Sequence, residues 1–297
     1  MMSEERAKLE KIGYRFVGRH SAIKICEWCR NAIRSCKSCY KQKFYGINTH
    51  RCIQMSPAVF SCTHNCLFCW RTMNFNPEMD STDEPKEILD KSIEEQRKIL
   101  QGFWGSNCDK TKLREAMNPN QVAISLVGEP CLYDRLPEFI DLIKSRNMTA
   151  FLVSNGTVPE MIEKLTSHQP TNMYITLAAP DEGIYKKTCN PLLENGWQRI
   201  QQSLSFMQEF KKSVIRMTLV KGLNMVKPEE YAKAIERALP TFVEAKAFMP
   251  VGGAQRLPYE AMPRHEEIKA FAEEVEKNSS YRIKNEKEDS RVVLLSR

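Results

Sequence analysis

From about Ser56 onward the chain alternates short apolar runs with stretches of helical period, a rhythm that predicts repeated strand–helix units. The strand-like runs are Val59-Phe60, Gln121–Val127, Thr149–Val153, Met173–Leu177, Val214–Val220 and Phe242–Met249. Helical spacing covers Glu84–Leu100, with apolar positions at Ile88, Leu89, Ile93 and Leu100, then Leu136–Ser145, Pro159–Leu165, Trp197–Phe210, Pro228–Leu239 and Arg264–Lys277. Proline close to a helix start, as at Pro159, lacks only an amide hydrogen that the first turn leaves unbonded anyway. Six such pairs along the sequence imply an α/β fold with a parallel sheet and right-handed crossovers. A closed barrel of this kind needs eight, so six suit an open, partial (β/α)6 TIM-like barrel. Gly102–Asn120, punctuated by Gly, Asn and Pro, predicts a long excursion between two units.

Composition narrows the class. With 297 residues, 42% hydrophobic and 27% charged, the chain suits one large globular domain, or a domain with an appended module. The charged start, Met1 to Lys11, lacks the apolar core of a signal peptide. No charge-free apolar run approaches the ~20 residues of a membrane helix, so no membrane partner is expected. The net charge of +7 is uneven. Residues 1–51 hold 12 Lys+Arg against 4 Asp+Glu, a net +8, which leaves −1 for the rest. This basic segment is interleaved with Tyr14, Phe16, Trp28, Tyr40, Phe44 and Tyr45, a composition suited to a polyanion with stackable bases. The plainer alternative is a solvated basic face over core aromatics.

The cysteines carry the chemistry. Eight of eleven fall between Cys26 and Cys69, and the last three read Cys62-Thr63-His64-Asn65-Cys66-Leu67-Phe68-Cys69. Three thiolates on one short loop can hold three irons of a cubane and leave the fourth without a protein ligand. Soft thiolates favour iron–sulfur clusters, zinc or Cu(I), but a closed zinc site wants four ligands and usually paired C-x2-C elements. Phe68 and Trp70 flank the final cysteine and could shield a cluster. Upstream, two arrangements compete. Cys26-x2-Cys29-x6-Cys36-x2-Cys39 has the form of a zinc knuckle, which spacing alone slightly favours. Cys26-x12-Cys39-x12-Cys52 would give a second three-thiolate site. Cys108, Cys131 and Cys189 read as small buried thiols, and His20, His50 and His64 as packing or RNA-contacting residues. Reduced cysteines at this density suit the cytoplasm.

The C-x3-C-x2-C run, with an aromatic before its last cysteine, resembles the signature of the radical S-adenosylmethionine (SAM) enzymes. The resemblance implies a 4Fe–4S cluster on Cys62, Cys66 and Cys69. Its open iron is chelated by the SAM methionine group, and one electron cleaves SAM to methionine and a 5′-deoxyadenosyl radical. It also implies a radical SAM partial barrel, with active groups at the C-terminal strand ends. Val127-Gly128-Glu129-Pro130 is similar to the family's Gly-Gly-Glu segment, with Val127 in place of the first glycine. Gly128 and Glu129 carry that match to the methionine ammonium. Ser154-Asn155-Gly156 is similar to the ribose-contacting turn, Thr176 also faces the cofactor in this reading, and Val220-Lys221-Gly222-Leu223-Asn224 follows the strand where adenine commonly packs.

The two cysteine triplets together resemble the tRNA 4-demethylwyosine synthase family. So do Tyr40-Lys41-Gln42-Lys43-Phe44-Tyr45-Gly46, Val243-Glu244-Ala245-Lys246-Ala247-Phe248-Met249 and Met262-Pro263-Arg264-His265-Glu266-Glu267. This resemblance implies a second 4Fe–4S cluster on Cys26, Cys39 and Cys52, with Cys29 and Cys36 not ligands. It implies a domain plan of 1–55 as a basic cysteine-rich N-terminal extension, 56–280 as the radical SAM barrel, and 281–297 as a C-terminal tail. The implied reaction joins pyruvate to N1-methylguanosine at position 37, in the anticodon region of tRNA-Phe. The radical takes hydrogen from the N1-methyl group, the carbon radical attacks the pyruvate ketone, the bond to the carboxylate breaks, and dehydration with the guanine amino group closes the ring. Pyruvate either chelates the second open iron or forms a Schiff base with Lys41, the candidate catalytic residue; Lys41 also reads as a phosphate-binding or solvated lysine. The base must leave its stack. The chain has no room for a flavodoxin-like domain, so an external one-electron donor, flavodoxin- or ferredoxin-like, is expected, as is a cytoplasmic monomer. Two other functions fit parts of the pattern: a two-cluster radical SAM enzyme acting on a small nucleotide in cofactor biosynthesis, and a zinc-stabilised nucleic-acid-binding module.

Overall fold

In the computed structural model, which describes residues 2–35, 37–70, 75–79 and 83–297 (side chains from Glu4), two units are distinguished. The first is Met1–Ser61 with Met79–Leu152, and the second is Cys62–Glu78 with Val153–Arg297.

The first unit contains α1 (Met2–Lys11), β1 (Arg15–Phe16), β2 (Ala22–Ile23), α2 (Glu27–Arg34), α3 (Tyr40–Tyr45), β3 (Cys52–Ser56), α4 (Pro85–Gln101), α5 (Lys110–Ala116), β4 (Gln121–Ile124), α6 (Leu136–Ser145) and most of β5 (Thr149–Ser154). β3, β4 and β5 run parallel, with Ile53 beside Val122 and Val122 beside Ala150. β4 is buried at all its positions, as a parallel strand covered on both faces should be. β2 adds antiparallel to β3, and β1 to β2. α4 starts on Pro85 and buries Ile88, Leu89, Ser92, Gln96 and Leu100, a stripe at helical spacing that continues the sequence reading.

The first parallel strand is Cys52–Ser56, and Val59-Phe60 lies in the turn after it. In Cys-Ile-Gln-Met-Ser polar residues alternate with apolar ones, so the strand has no continuous apolar run. The excursion at 102–120 also holds a helix, α5. Asp109 Oδ1 caps it by accepting from the amides of Thr111 and Lys112, both at 3.0 Å.

The second unit contains α7 (Pro159–Ser167), β6 (Asn172–Thr176), α8 (Glu182–Cys189), α9 (Gly196–Ser205), β7 (Ser213–Leu219), α10 (Pro228–Ala238), β8 (Phe242–Ala247), α11 (His265–Lys277), β9 (Arg282–Lys287) and β10 (Val292–Ser296). β6, β7 and β8 are parallel, and β10 lies between β8 and β9, antiparallel to both. Residues 281–297 therefore contain a strand pair. The apolar run Val292-Val293-Leu294-Leu295 is buried, while Arg-Ile-Lys-Asn-Glu-Lys of β9 hides the pairing in a polar sequence. α8, also absent from the periodicity, is fixed by Asp181, whose Oδ1 accepts from the Ile184 amide at 2.9 Å. Among the described residues each unit has three parallel strands; five coincide with strand-like runs of the sequence, and the sixth is Cys52–Ser56 in place of Val59-Phe60. Among the described residues no helix is long and apolar enough to cross a membrane.

Candidate functional site

The loop from Cys62 to Trp70 has no helix or strand of its own, so its backbone bonds must come from elsewhere. The Cys62 amide donates to the Asn76 carbonyl at 2.9 Å. The C-terminal end of α8 and the residues just after it supply most of the rest. Asn65 N donates to Cys189 O at 3.1 Å, Leu67 N to Thr188 O at 2.9 Å, and Leu192 N to Thr63 O at 2.9 Å. Within the loop, Cys69 N reaches Cys66 O at 3.1 Å. Cys62, Cys66 and Cys69 are each partly buried and none is in a disulfide. Trp70 remains 40% exposed, whereas Phe68 packs against a cluster that includes Val220, Phe248 and Ala254. Gly252, at φ +56°, lies against the end of the loop: a Cβ there would stand 2.0 Å from the Trp70 carbonyl oxygen.

Side chains from following strands and helices grip the same loop. Asn155 Nδ2 lies 3.7 Å from Cys62 Sγ and donates to Thr63 Oγ1 at 2.9 Å. Its Oδ1 accepts from the Thr157 amide at 3.0 Å, and the hydroxyls of Thr157 and Thr63 bond at 2.6 Å. His64 Nε2 pairs with the Tyr185 hydroxyl at 2.7 Å. Burial pushes the His64 pKa down to about 3, so the imidazole is neutral and serves packing, as expected. His20 likewise bonds to Pro57 O and its neighbours, and His50 to Glu115 at 2.6 Å. Cys189, read from sequence as a small buried thiol, is buried, and its Sγ lies with Cys66 Sγ and a His64 ring nitrogen, the three donor atoms within 4.8 Å of one another. A hydrogen bond with Cys189, then burial, pushes the Cys66 thiol well up. Nothing in the spacing of Cys189 signals this placement.

The other expected cofactor residues are organised turns. In the first unit, Gly128 adopts φ +74°, and a Cβ there would meet Ala58 O at 1.8 Å and Ser61 O at 2.6 Å; only glycine fits. Glu129 N donates to Ser61 O at 2.8 Å, and its carboxylate caps the next turn by accepting from Cys131 N at 3.0 Å. In the second unit, Ser154 Oγ accepts from the Gly156 amide at 3.0 Å. Thr176 ends β6, half-buried, opposite Arg216 of β7. Arg216 Nε in turn donates to the fully buried Glu244 at 2.9 Å, and its guanidinium lies 4.6 Å from the Tyr174 ring centroid. Sequence periodicity hides this ionic group inside apolar strands. Asn224, expected near adenine, is buried and ties its own turn, bonding Ala178 O, Thr218 O and Val220 N.

The upstream cysteines converge within the first unit. Cys26 and Cys39 occupy the residues just before α2 and α3, in extended conformation and without a side-chain capping bond. Cys52 opens β3. Burial, then negative charge on Cys26, and further down Cys39, push the Cys52 thiol up, while Lys41 acts in the opposite direction. Burial also raises Cys26, again with Lys41 opposing. Buried thiols of this kind ionise only beside a cation, which is the condition a metal supplies. Lys41 is buried and places Nζ 5.0 Å from the Phe151 ring centroid. Cys29 is fully buried in an apolar cluster with Ile25, Ile33 and Leu100, and its thiol faces His50 O at 3.5 Å. Cys36, the remaining member of the zinc-knuckle spacing, lies outside the described residues. Each triplet offers soft donors of the right kind for a cubane. A cubane binds each sulfur to a different iron, so its ligands need not crowd as they would around one ion.

The basic segment also uses its aromatics internally. Tyr14 and Tyr40 are buried, Phe16 stacks on Phe60 at 5.6 Å, and Tyr45 meets Phe151 at 5.9 Å. Exposed Lys8, Lys11, Arg15, Arg19, Arg34, Lys37 and Lys43 remain as the charged surface.

Comparison with known proteins places this geometry. The radical SAM superfamily profile matches residues 58–235, and one for wyosine base formation matches residues 237–297. The S-adenosyl-L-methionine-dependent tRNA 4-demethylwyosine synthase of Pyrococcus abyssi is 45% identical, over 100% of this chain and 90% of the relative. That of Methanocaldococcus jannaschii is 40% identical, over 99% and 96%. A solved structure of TYW1 with a lysine-pyruvate adduct bound superposes with a TM-score of 0.91 at 38% identity, over 99% of this chain and 95% of that one. An archaeal TYW1 crystal structure gives 0.82 at 35%, with the same coverage. The α/β radical SAM fold expected from the sequence is therefore the fold adopted, and with it come SAM and a 4Fe–4S cluster as the family's cofactors. The chain belongs to the tRNA 4-demethylwyosine synthase family of radical SAM enzymes.

Proposed function

We propose that this enzyme condenses pyruvate with N1-methylguanosine at position 37 of tRNA-Phe to form 4-demethylwyosine, in a SAM-dependent radical reaction. The observation that carries this reading is the match along the whole chain to synthases of that name at 45% identity. In this reading Cys62, Cys66 and Cys69 hold the radical-generating cluster. Gly128, Glu129, Ser154, Asn155 and Thr176 line the bound SAM. When bound, cluster and SAM supply the 5′-deoxyadenosyl radical that takes hydrogen from the N1-methyl group.

The chain's own residues then do the positioning. Asn155 fixes the start of the cysteine loop through Cys62 and Thr63. Residues 1–55 form a basic extension in which Cys26, Cys39 and Cys52 hold a second 4Fe–4S cluster, followed by the barrel at 56–280 and a C-terminal segment at 281–297. Lys41 is the residue for pyruvate. Its Nζ adds to the ketone carbon, and loss of water gives the Schiff base; a buried position disfavours the returning water. Support comes from the burial of Lys41 close to Cys26 and Cys52 and from the lysine-pyruvate adduct in a TYW1 structure 38% identical to this chain. The reading includes the exposed basic residues of 1–51 as contacts for the anticodon-region phosphates, an external one-electron donor of flavodoxin or ferredoxin type, and a cytoplasmic monomer.

The test is anaerobic incubation of the reconstituted protein with reductant, SAM, pyruvate and methylated tRNA, followed by nucleoside mass analysis. A new base with the mass of 4-demethylwyosine is expected. Unchanged N1-methylguanosine alongside 5′-deoxyadenosine formation would overturn the substrate assignment while leaving the radical chemistry in place.

A further inference from the structure

α8 presents Tyr185 and Cys189 one turn apart, so both side chains lie on one face of the helix. That face meets the cysteine loop. Tyr185 bonds to His64 at 2.7 Å, its ring lies 5.3 Å from the imidazole, and Cys189 reaches Cys66. The arrangement is held by backbone as well as side chains. Residues Thr188–Leu192 pair with Thr63–Leu67 through the amides of Asn65, Leu67 and Leu192, and His64 forms a bridge with Pro191. Cys189 is only 1% exposed, so its thiol has a fixed neighbour and little competing water.

We infer that Cys189 is a positioning residue of the radical-generating site: its thiol donates a hydrogen bond to the Cys66 sulfur and raises the reduction potential of the cluster. The inference rests on reading Cys62, Cys66 and Cys69 as the ligands of that cluster. A metal-bound Cys66 carries no thiol proton, so the proton of the pair belongs to Cys189. The bond withdraws electron density from a sulfur that becomes more negative when the cluster takes its electron. It therefore stabilises the reduced state more than the oxidised one, the direction in which hydrogen bonds to cluster sulfurs act. His64 Nε2 is engaged with the Tyr185 hydroxyl at 2.7 Å. Asn155 Nδ2, 3.7 Å from Cys62 Sγ, acts on a different ligand. Cys189 is thus a side-chain donor placed at Cys66, held there by the backbone pairing of Thr188–Leu192 with the loop.

The test is a redox titration, followed by electron paramagnetic resonance, of the full-length protein reconstituted without oxygen. The radical-generating cluster is picked out by the change in its signal on adding SAM. Cys189→Ala should lower its midpoint, so that at a fixed solution potential the oxidised-to-reduced ratio rises about tenfold, equivalent to about 59 mV for one electron. Cys189→Ser keeps a donor and should stay much closer to the parent. Iron and sulfide per chain should be unchanged in both. An unaltered midpoint in Cys189→Ala, an equal shift in both variants, or loss of the cluster from the alanine variant alone would overturn the tuning role; the last two would make Cys189 a packing residue. A parent protein with no SAM-sensitive signal would instead overturn the underlying assignment of the cluster ligands.

Discussion

The two cysteine triplets proposed above as cluster sites are assembled by opposite routes. Cys62, Cys66 and Cys69 sit on one continuous loop, and the fold has only to brace that loop from outside through Asn76, Asn155 and the end of α8. Cys26, Cys39 and Cys52 are separated by two short helices, and they meet because two of them precede helices and the third begins a strand. The first site is written in local spacing and the second in tertiary structure. The contiguous site should accordingly tolerate disturbance of distant packing better, and the dispersed site should fail when α2, α3 or β3 shifts.

Removing one ligand from each set gives the widest contrast. Cys62→Ala should abolish SAM cleavage, with 5′-deoxyadenosine below detection by chromatography after reduction. Cys39→Ala should stop base formation yet leave part of the SAM cleavage, and iron should drop from about eight to about four per chain, as expected for the loss of one of two cubanes. Normal product from that variant would remove the second set from the reaction. Next in size, Lys41→Gln should lose the pyruvate adduct trapped by borohydride and lower product yield by at least about 100-fold. A full yield from that variant would favour chelation of pyruvate over an imine.

A smaller effect separates cluster from zinc knuckle. Cys29→Ala should leave metal content intact and cost about 1 kcal/mol of unfolding free energy, the usual scale for trimming a small buried group. Loss of a bound metal ion in that variant would instead restore the knuckle. Smallest is the electrostatic contribution of the segment around the dispersed site. Arg34→Glu, at one of the exposed basic positions, should weaken tRNA binding and flatten the slope of log affinity against log salt by about one; an unchanged slope would move the RNA-binding face away from residues 1–51.

How much could be read in advance follows the same division. The Cys62–Cys69 run and the strand–helix rhythm are local patterns, and α6 at Leu136–Ser145 coincides with its apolar periodicity. Where a segment's partner is remote, the sequence is mute. β3 begins at Cys52 because it pairs with Gln121, and its polar alternation masks it. β9 is polar because β10 carries the apolar burial for the pair. Cys189 is an ordinary buried thiol in composition, and only the pairing of Thr188–Leu192 with the loop brings it to Cys66. By composition the aromatics of the basic segment suit stacking on bases, yet Tyr14 and Tyr40 are core residues. Their spacing among lysines reflects packing beneath a charged surface.

Gly128 leaves no room for even a methyl group, because the carbonyls of Ala58 and Ser61 press against it. Ser61 is the residue immediately before Cys62. A bulkier amino acid at 128 would force that stretch to retreat and drag the first sulfur with it. Such a variant would look pale and iron-poor when purified, mimicking a ligand knockout while every cysteine remained in place.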